Sequence, residues 1–205
     1  MFSKLFGKKK AERPALEHVR DLRVGDMIEF GLSDIDDISG QTFKVSQVNS
    51  VDYGDGIQPS MTLTSGRLSL GFEVVDENGE EYLQFSKLVK SKDVLKIFDG
   101  DQFGHVFNEG ANSTCTVISK PEHLVDWIGN GDYRESADAI QSSYYKGDCR
   151  FDQHQNVEYF DYYELEGDDG YSVDIEVYDG GETEVYLTRQ LPMHIIEELW
   201  PHGEG

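Results

Sequence analysis

Residues 171–191 read YSVDIEVYDGGETEVYLTRQL, and the spacing within this stretch decides the fold class. Tyr171, Val173, Ile175 and Val177 fall on one face of an extended chain. Ser172, Asp174, Glu176 and Tyr178 fall on the other. A period of two marks a strand with one buried face, because successive side chains leave a pleated backbone on opposite sides. Asp179-Gly180-Gly181-Glu182 turns the chain, and Val185 and Leu187 carry the apolar face back. Upstream, residues 157–165 form a strand rich in Tyr and Phe, joined to the first by EGDDG at 166–170. The C-terminal third therefore reads as an antiparallel meander with an apolar inner face and a carboxylate-rich outer one.

The same alternation recurs further back. Leu70, Phe72 and Val74 alternate with Gly71, Glu73 and Val75, and Leu83 and Phe85 return on one face. Asp76-Glu77-Asn78-Gly79 lies between, and Asn-Gly is the strongest short hairpin signal. Residues 42–48 (TFKVSQV) read as a strand, residues 20–30 as a turn entering a strand, and 34–40 and 52–60 as loop or turn. Residues 91–98 fit a short helix or a strand equally well. Three helices are expected. One starts at Ser119-Lys120-Pro121-Glu122, buries Leu124, Trp127 and Ile128, and stops at Gly129-Asn130-Gly131. One spans 133–145 with Ala137, Ile140 and Tyr144 on one side. The last runs from Pro192 with Ile195, Ile196, Leu199 and Trp200 aligned, closed by Pro201.

The fold class is thus α+β and predominantly antiparallel β, with a few short helices. The expected organisation is a mobile basic tail (1–14), a β-rich half (15–110) and a helix-containing half (111–205) with the meander and final helix. One compact domain is the alternative. The chain also echoes itself: FEVVDENGEEYLQFSKL at 72–88 lies over IEVYDGGETEVYLTRQL at 175–191. Glu73/Glu176, Val74/Val177, Asp76/Asp179, Glu81/Glu184 and Leu88/Leu191 are identical pairs. Two related β-rich halves explain this, and so does the similarity of any two acidic hairpins.

Charge divides the chain sharply. Residues 1–13 carry five basic side chains and one acid, which leaves roughly −26 on the rest of a 205-residue chain whose formal charge is −22. An acidic body disfavours phosphate backbones, whose binding is driven by cations displacing counterions. It suits basic proteins, cations or simple solubility. Residues 151–188 hold 12 Asp/Glu, no Lys or Arg, and eight Phe/Tyr. Asp174, Glu176, Tyr178, Glu184 and Tyr186 are the candidates for contact with a basic protein partner, against the plainer reading of a solubilising face. In the tail, Phe2, Leu5 and Phe6 lie beside Lys4, Lys8, Lys9 and Lys10. That pattern suits weak, reversible contact with an anionic lipid surface, at about 1 kcal/mol per basic residue. A disordered tail is the alternative.

No residue is nominated as catalytic or metal-binding, and no cofactor is expected. The six histidines are scattered without the i, i+4 spacing of a helical metal site. Asp99-Gly100-Asp101-Gln102-Phe103-Gly104 opens like a calcium loop but has Phe103 at position five and Gly110 where a bidentate Glu is required. The Asp34/Asp36/Asp37 and Asp168/Asp169 clusters read as solvated loops ahead of weak cation sites. No phosphate-cradling Gly loop or Gly-x-Ser-x-Gly elbow occurs. Cys149 has Lys146, Arg150 and His154 nearby, which can lower a thiol pKa, but an idle Cys fits better. Cys115 and Cys149 read as two reduced thiols, with a single disulfide as the alternative. No secretory signal or spanning apolar run is visible, so a cytoplasmic protein is expected, with peripheral contact at the inner membrane.

The MFSKLFGKKK opening, the segment EEYLQFSKLVKSKDVLKIF and the region VEYFDYYEL…VYLTRQL resemble an uncharacterised bacterial family of unknown function. Its members are encoded beside phage-shock-protein-A-like membrane-stress proteins. The resemblance implies a cytoplasmic accessory protein in a membrane-stress locus, with a membrane-stress protein as partner, and no activity. The leading functional expectation is a non-enzymatic interaction protein near the inner membrane face. An acidic decoy for a nucleic-acid-binding protein is the second, and an enzyme with a carboxylate site the third.

Overall fold

The computed structural model describes residues 15–108, 113–151 and 155–202. Its strands are β1 (Met27–Phe30), β2 (Thr42–Asp52), β3 (Ile57–Ser65), β4 (Leu68–Glu77) and β5 (Glu80–Val89). Two short helices follow, α1 (Ser91–Ile97) and α2 (Gly100–His105). Then come β6 (Thr114–Thr116), β7 (Asp132–Glu135), β8 (Ile140–Lys146), β9 (Gln155–Glu166), β10 (Tyr171–Tyr178), β11 (Thr183–Pro192) and β12 (Ile196–Trp200). All pairings are antiparallel.

Eight of these strands close on themselves. The wall runs β2-β3-β4-β5-β11-β10-β9, and β8 bridges β9 back to β2. Closure removes the exposed edges that an open sheet would leave. The barrel draws four strands from each side of residue 110. Two of its strands serve two neighbours along one edge. β2 pairs β1 through Thr42, Phe43 and Lys44 and β8 through Ser50, Val51 and Asp52. The register shift between Val45 and Gln47 is of the kind that bends a strand between two partners. β9 likewise pairs β8 along most of its length and β7 through Leu165 and Glu166.

The main hydrophobic core lies outside the barrel. Leu63, Leu70, Phe72, Phe85, Val173, Ile175 and Leu187 face away from its axis and are buried. They meet a cover made of the 15–38 segment, β1, α1, α2, the 3-10 turn at Glu122–Trp127 and the chain after β11. Phe30 knots the two together: its ring centroid is 5.1 Å from Phe85, 5.9 Å from Phe43 and 6.2 Å from Phe72. Full burial of one such ring contributes about 1.5–3 kcal/mol. Along β4, β5, β10 and β11 the apolar half of each alternating strand is thereby spent on the cover, and the polar half is left to line the barrel.

The antiparallel β class holds, and both expected hairpins form as β4–β5 and β10–β11. Residues 91–97 are helical, which decides that ambiguous segment. Several expectations change. The expected helix over 133–145 is instead β7 and β8: Ile140, Ser142 and Tyr144 alternate into the barrel, and pairing with β2 and β9 outweighs the weak helical spacing. The helix after Pro121 is only a six-residue 3-10 turn, though Leu124, Trp127 and Ile128 are buried as expected. The expected final helix is a 3-10 turn at Met193–Ile195 followed by β12, which covers the free edge of β1. Residues 57–60, read as turn, belong to β3.

The internal echo survives on one strand and not on the next. Glu73 and Glu176 both face the barrel interior, as their offset requires. Glu81 pairs with Asp76, whereas Glu184 pairs with Glu176, and the two hairpins differ in register by three residues. An odd difference puts the identical Glu81 and Glu184 on opposite faces.

Candidate functional site

The polar positions of β2 to β5 and β8 to β11 converge inside the barrel. They enclose a cavity of about 930 Å³, open at one end and lined by Glu73, Asp174, Glu176, Glu184, Tyr178 and Tyr186 among others. A second cavity of about 570 Å³ opens on the other side, between Asp55, Gln58, Gln84 and Glu164. Tyr53, at the end of β2, and Glu73, on β4, line both and form the floor between them. The Tyr53 ring lies 4.7 Å from that of Tyr162, tilted by 48°, and meets Phe160 edge-on at 6.3 Å. The floor is thus aromatic, with one carboxylate set in it.

This placement corrects the reading of the meander. Asp174, Glu176, Tyr178, Glu184 and Tyr186, expected on an outer sheet face, line the interior instead. Alternation assigns residues to two faces but does not say which is enclosed, and curling the sheet encloses the polar one. Phe2, Lys4, Leu5, Phe6, Lys8, Lys9 and Lys10 lie outside the described residues.

Each interior acid has a distinct setting. Asp174 accepts hydrogen bonds from Thr188 Oγ1 at 2.6 Å, Tyr162 OH at 3.1 Å and Ser172 Oγ at 3.5 Å. Ser86 Oγ lies 3.0 Å from Thr188 and extends this network. Burial still pushes the Asp174 carboxyl up to about 6, against those hydrogen bonds. Tyr178 OH donates to Glu176 at 2.6 Å and Tyr186 OH to Glu184 at 2.5 Å. Burial raises Glu176 to about 7, with the Glu184 charge acting in the same direction. Both tyrosine hydroxyls are held well above their usual range by burial and by these carboxylates. Glu164 on β9 is raised to about 7 by burial, then by the charge of Asp174.

Glu73 is the least compensated. It is 8% exposed, and its Oε2 has no hydrogen-bond partner among the described residues. Burial pushes its carboxyl up to about 7, opposed by a Ser60 hydrogen bond and reinforced by Asp174 and Glu176. Cross-strand partners add to the repulsion: Glu176 sits opposite Glu184, and Glu164 opposite Asp174. Like charges directly opposite on one sheet face destabilise it by about 0.2–1 kcal/mol a pair. Among the described residues, Lys146 is the one cation lining the larger cavity, and it pairs with Glu158 at 3.6 Å. The interior therefore has a surplus of carboxylate, aromatic walls and, among the described residues, no cation at the floor. Such a surface is chemically complementary to a group with a positive charge and hydrogen-bond donors.

Other candidate features are structural. Asp34 pairs with Arg189 at 3.0 Å, and Asp37 with Lys87 at 2.5 Å and Trp127 Nε1 at 2.8 Å. These contacts fasten the 31–40 loop to the barrel strands β5 and β11 and to the 3-10 turn at Glu122–Trp127. Asp99 caps α2, accepting from the backbone N–H groups of Asp101 and Gln102. Cys115 and Cys149 are both free thiols, and burial raises Cys115 to about 11. Among the described residues, no group of three or more His, Cys, Asp or Glu is arranged to hold a metal ion. Also among them, no helix is long and apolar enough to cross a membrane.

Sequence reasoning does not bring Glu73, Tyr53, Tyr162, Glu164 or Lys146 into the site. Glu73 carries a signal: it occupies the same alternating position in its hairpin as Glu176 does in the next. Tyr53 carries none, because it falls in a stretch that reads as a turn. No protein-family model, curated protein or solved structure matches the chain.

Proposed function

We propose that this is a non-enzymatic binding protein whose barrel interior takes a small organic cation. The observation that carries this reading is the uncompensated acid of the interior: Glu73, Asp174, Glu176 and Glu184 share one cavity, with Lys146 alone near its mouth among the described residues. Tyr53, Tyr144, Tyr178 and Tyr186 supply aromatic faces in the same cavity. Carboxylates and aromatic rings together favour ammonium or guanidinium groups, through charge-assisted hydrogen bonds and cation–π contact. The lack of a compact ligand cluster among the described residues favours an organic cation over a metal ion. A cavity of about 930 Å³ falls within the usual range for small-molecule sites.

Thermal unfolding at pH 8 tests this, with a panel of organic ammonium and guanidinium salts against sodium chloride of equal ionic strength. A ligand that binds only the folded barrel raises the midpoint by mass action. The rise is expected for at least one organic cation and is expected to vanish in the Glu176→Gln, Glu184→Gln double variant. A panel that shifts neither protein, or shifts both equally, removes the reading.

The accessory role near a membrane is a second proposal, supported by the basic and apolar residues of the 1–13 segment and by the resemblance described above. Flotation with anionic liposomes, comparing the full chain with a 1–13 deletion, decides it. Equal flotation of the two removes it.

A further inference from the structure

We infer that the cation is a linear polyamine, bound end-on with its leading ammonium at Glu73 and Asp174 and the next ammonium at Glu176 and Glu184. This rests on the cationic-ligand reading and goes further, because it fixes the number and spacing of charges. The acids of the larger cavity are arranged in tiers along its depth. Asp174 and Glu176 are two residues apart on β10 and both face the interior. Two residues of strand span about 6.7 Å. Two amines joined by three or four methylenes lie about 5–6 Å apart when extended, from ordinary bond lengths of about 1.5 Å. One strand step therefore matches one aminoalkyl step.

Each tier has a second acid from another strand. Glu184 on β11 stands opposite Glu176. Glu73 on β4 lies toward the Asp174 end of the wall: it pairs with Gln84 on β5, which pairs with Gln190 on β11, whose N–H donates to the carbonyl of Gly170, just before β10 and nearer to Asp174 than to Glu176. The lower tier ends at the floor, where Glu73 Oε2 is buried and lacks a partner among the described residues. A terminal ammonium carries three donors, and a buried carboxylate oxygen without a partner is the acceptor it fits. Tyr53 at the floor and Tyr186 on the wall line the same cavity. They offer apolar and π surface to the methylenes and to the charges beside them. A monoamine can satisfy only one tier. A compact divalent ion can occupy one tier but cannot bridge two.

Isothermal titration of the full chain at pH 8 and low salt tests this with butylamine, 1,4-diaminobutane, spermidine and magnesium. Each ammonium that finds its tier is expected to tighten binding about tenfold, as one charge-assisted hydrogen bond does. Affinity should rise about tenfold from monoamine to diamine, with spermidine at least as tight as the diamine and magnesium weakest, at one polyamine per chain. Glu73→Gln and Glu176→Gln should each weaken spermidine about tenfold while leaving butylamine within about threefold. Asp161→Asn, an exposed acid on the outer side of β9, should change neither. Far-ultraviolet circular dichroism and the unfolding midpoint check that each variant is folded. Equal affinity for butylamine and spermidine, or a matching magnesium affinity, overturns the polyamine proposal and leaves the wider cation reading standing. Absence of binding by every amine overturns both.

Discussion

Replacing Glu73 by Gln removes a charge the fold does not compensate, so the variant should be more stable than the parent at high pH. The Glu73 carboxyl is held at about 7 against an ordinary 4.5. Its neighbours across the barrel on β10, Asp174 and Glu176, are acids that raise it further, and the Ser60 hydrogen bond only partly opposes the shift. The unfolded chain therefore gives up the proton first as pH rises, and stability falls with pH between about 4.5 and 7. A tenfold difference in proton affinity between the folded and unfolded chain is worth about 1.4 kcal/mol, so ionised Glu73 costs the folded state about 3 kcal/mol at pH 8. Gln keeps the shape and one unpartnered polar atom but not the charge. In a chain of this size about 3 kcal/mol moves the midpoint by roughly 6–12 °C. Urea unfolding of parent and variant at pH 4.5 and pH 8 reads this directly. The stability gain should be largest at pH 8 and nearly vanish at pH 4.5, where Glu73 is protonated in the folded state. A variant that loses the same stability at both values refutes the reasoning, because Glu73 would then be a satisfied structural group.

Thr188→Val deletes the 2.6 Å donor to Asp174 and should cost about 1–3 kcal/mol in urea unfolding at pH 8, with a smaller loss at pH 4, where the Asp174 carboxyl is protonated. Arg189→Met removes a buried side chain that holds Asp34, the Asp126 carbonyl and the Tyr171 ring at 3.7 Å. Its signature should be faster amide exchange at residues 31–40 together with a loss of about 1–3 kcal/mol; unchanged exchange there would show that these contacts do not hold the loop. Cys115 is fully buried with its thiol raised, so the native protein should resist labelling at this position at pH 8, while denaturant exposes both thiols. Native labelling of Cys115 as fast as Cys149 would contradict the burial.

The sequence is legible where a single face decides the structure. The β10–β11 hairpin follows from Val173, Ile175, Val185 and Leu187, and β4–β5 from Phe72, Val74, Leu83 and Phe85, because a buried apolar row fixes both strand and register. β8 reads wrongly as helix because Ile140 and Tyr144 also fit a helical spacing, and only its pairing with two distant strands settles the matter. β12 reads wrongly for a similar reason: Ile196 and Leu199 suit a helix face, but the edge of β1 offers a ladder. The site is half legible. Asp174, Glu176, Tyr178, Glu184 and Tyr186 stand out as a chemically unusual row, yet the sequence puts them on the outside. The inversion comes from closure, which depends on β8 joining β2 to β9 and leaves no trace in the period of any one strand. Glu73 and Tyr53 enter only when β2 and β4 are brought across the barrel from β10.

The most direct test of a cation site inside the barrel is nuclear magnetic resonance of the full chain during a spermidine titration, observing Asp and Glu side-chain carboxyl carbons and Tyr rings. Saturable shifts are expected at Glu73, Asp174, Glu176 and Glu184 and at the rings of Tyr53, Tyr178 and Tyr186, with the outer acids Asp161, Glu197 and Glu198 unmoved. Shifts spread evenly over the exposed acids, with the interior carboxyls silent, would show that the ligand condenses on the outer charge and that the barrel interior is not the site.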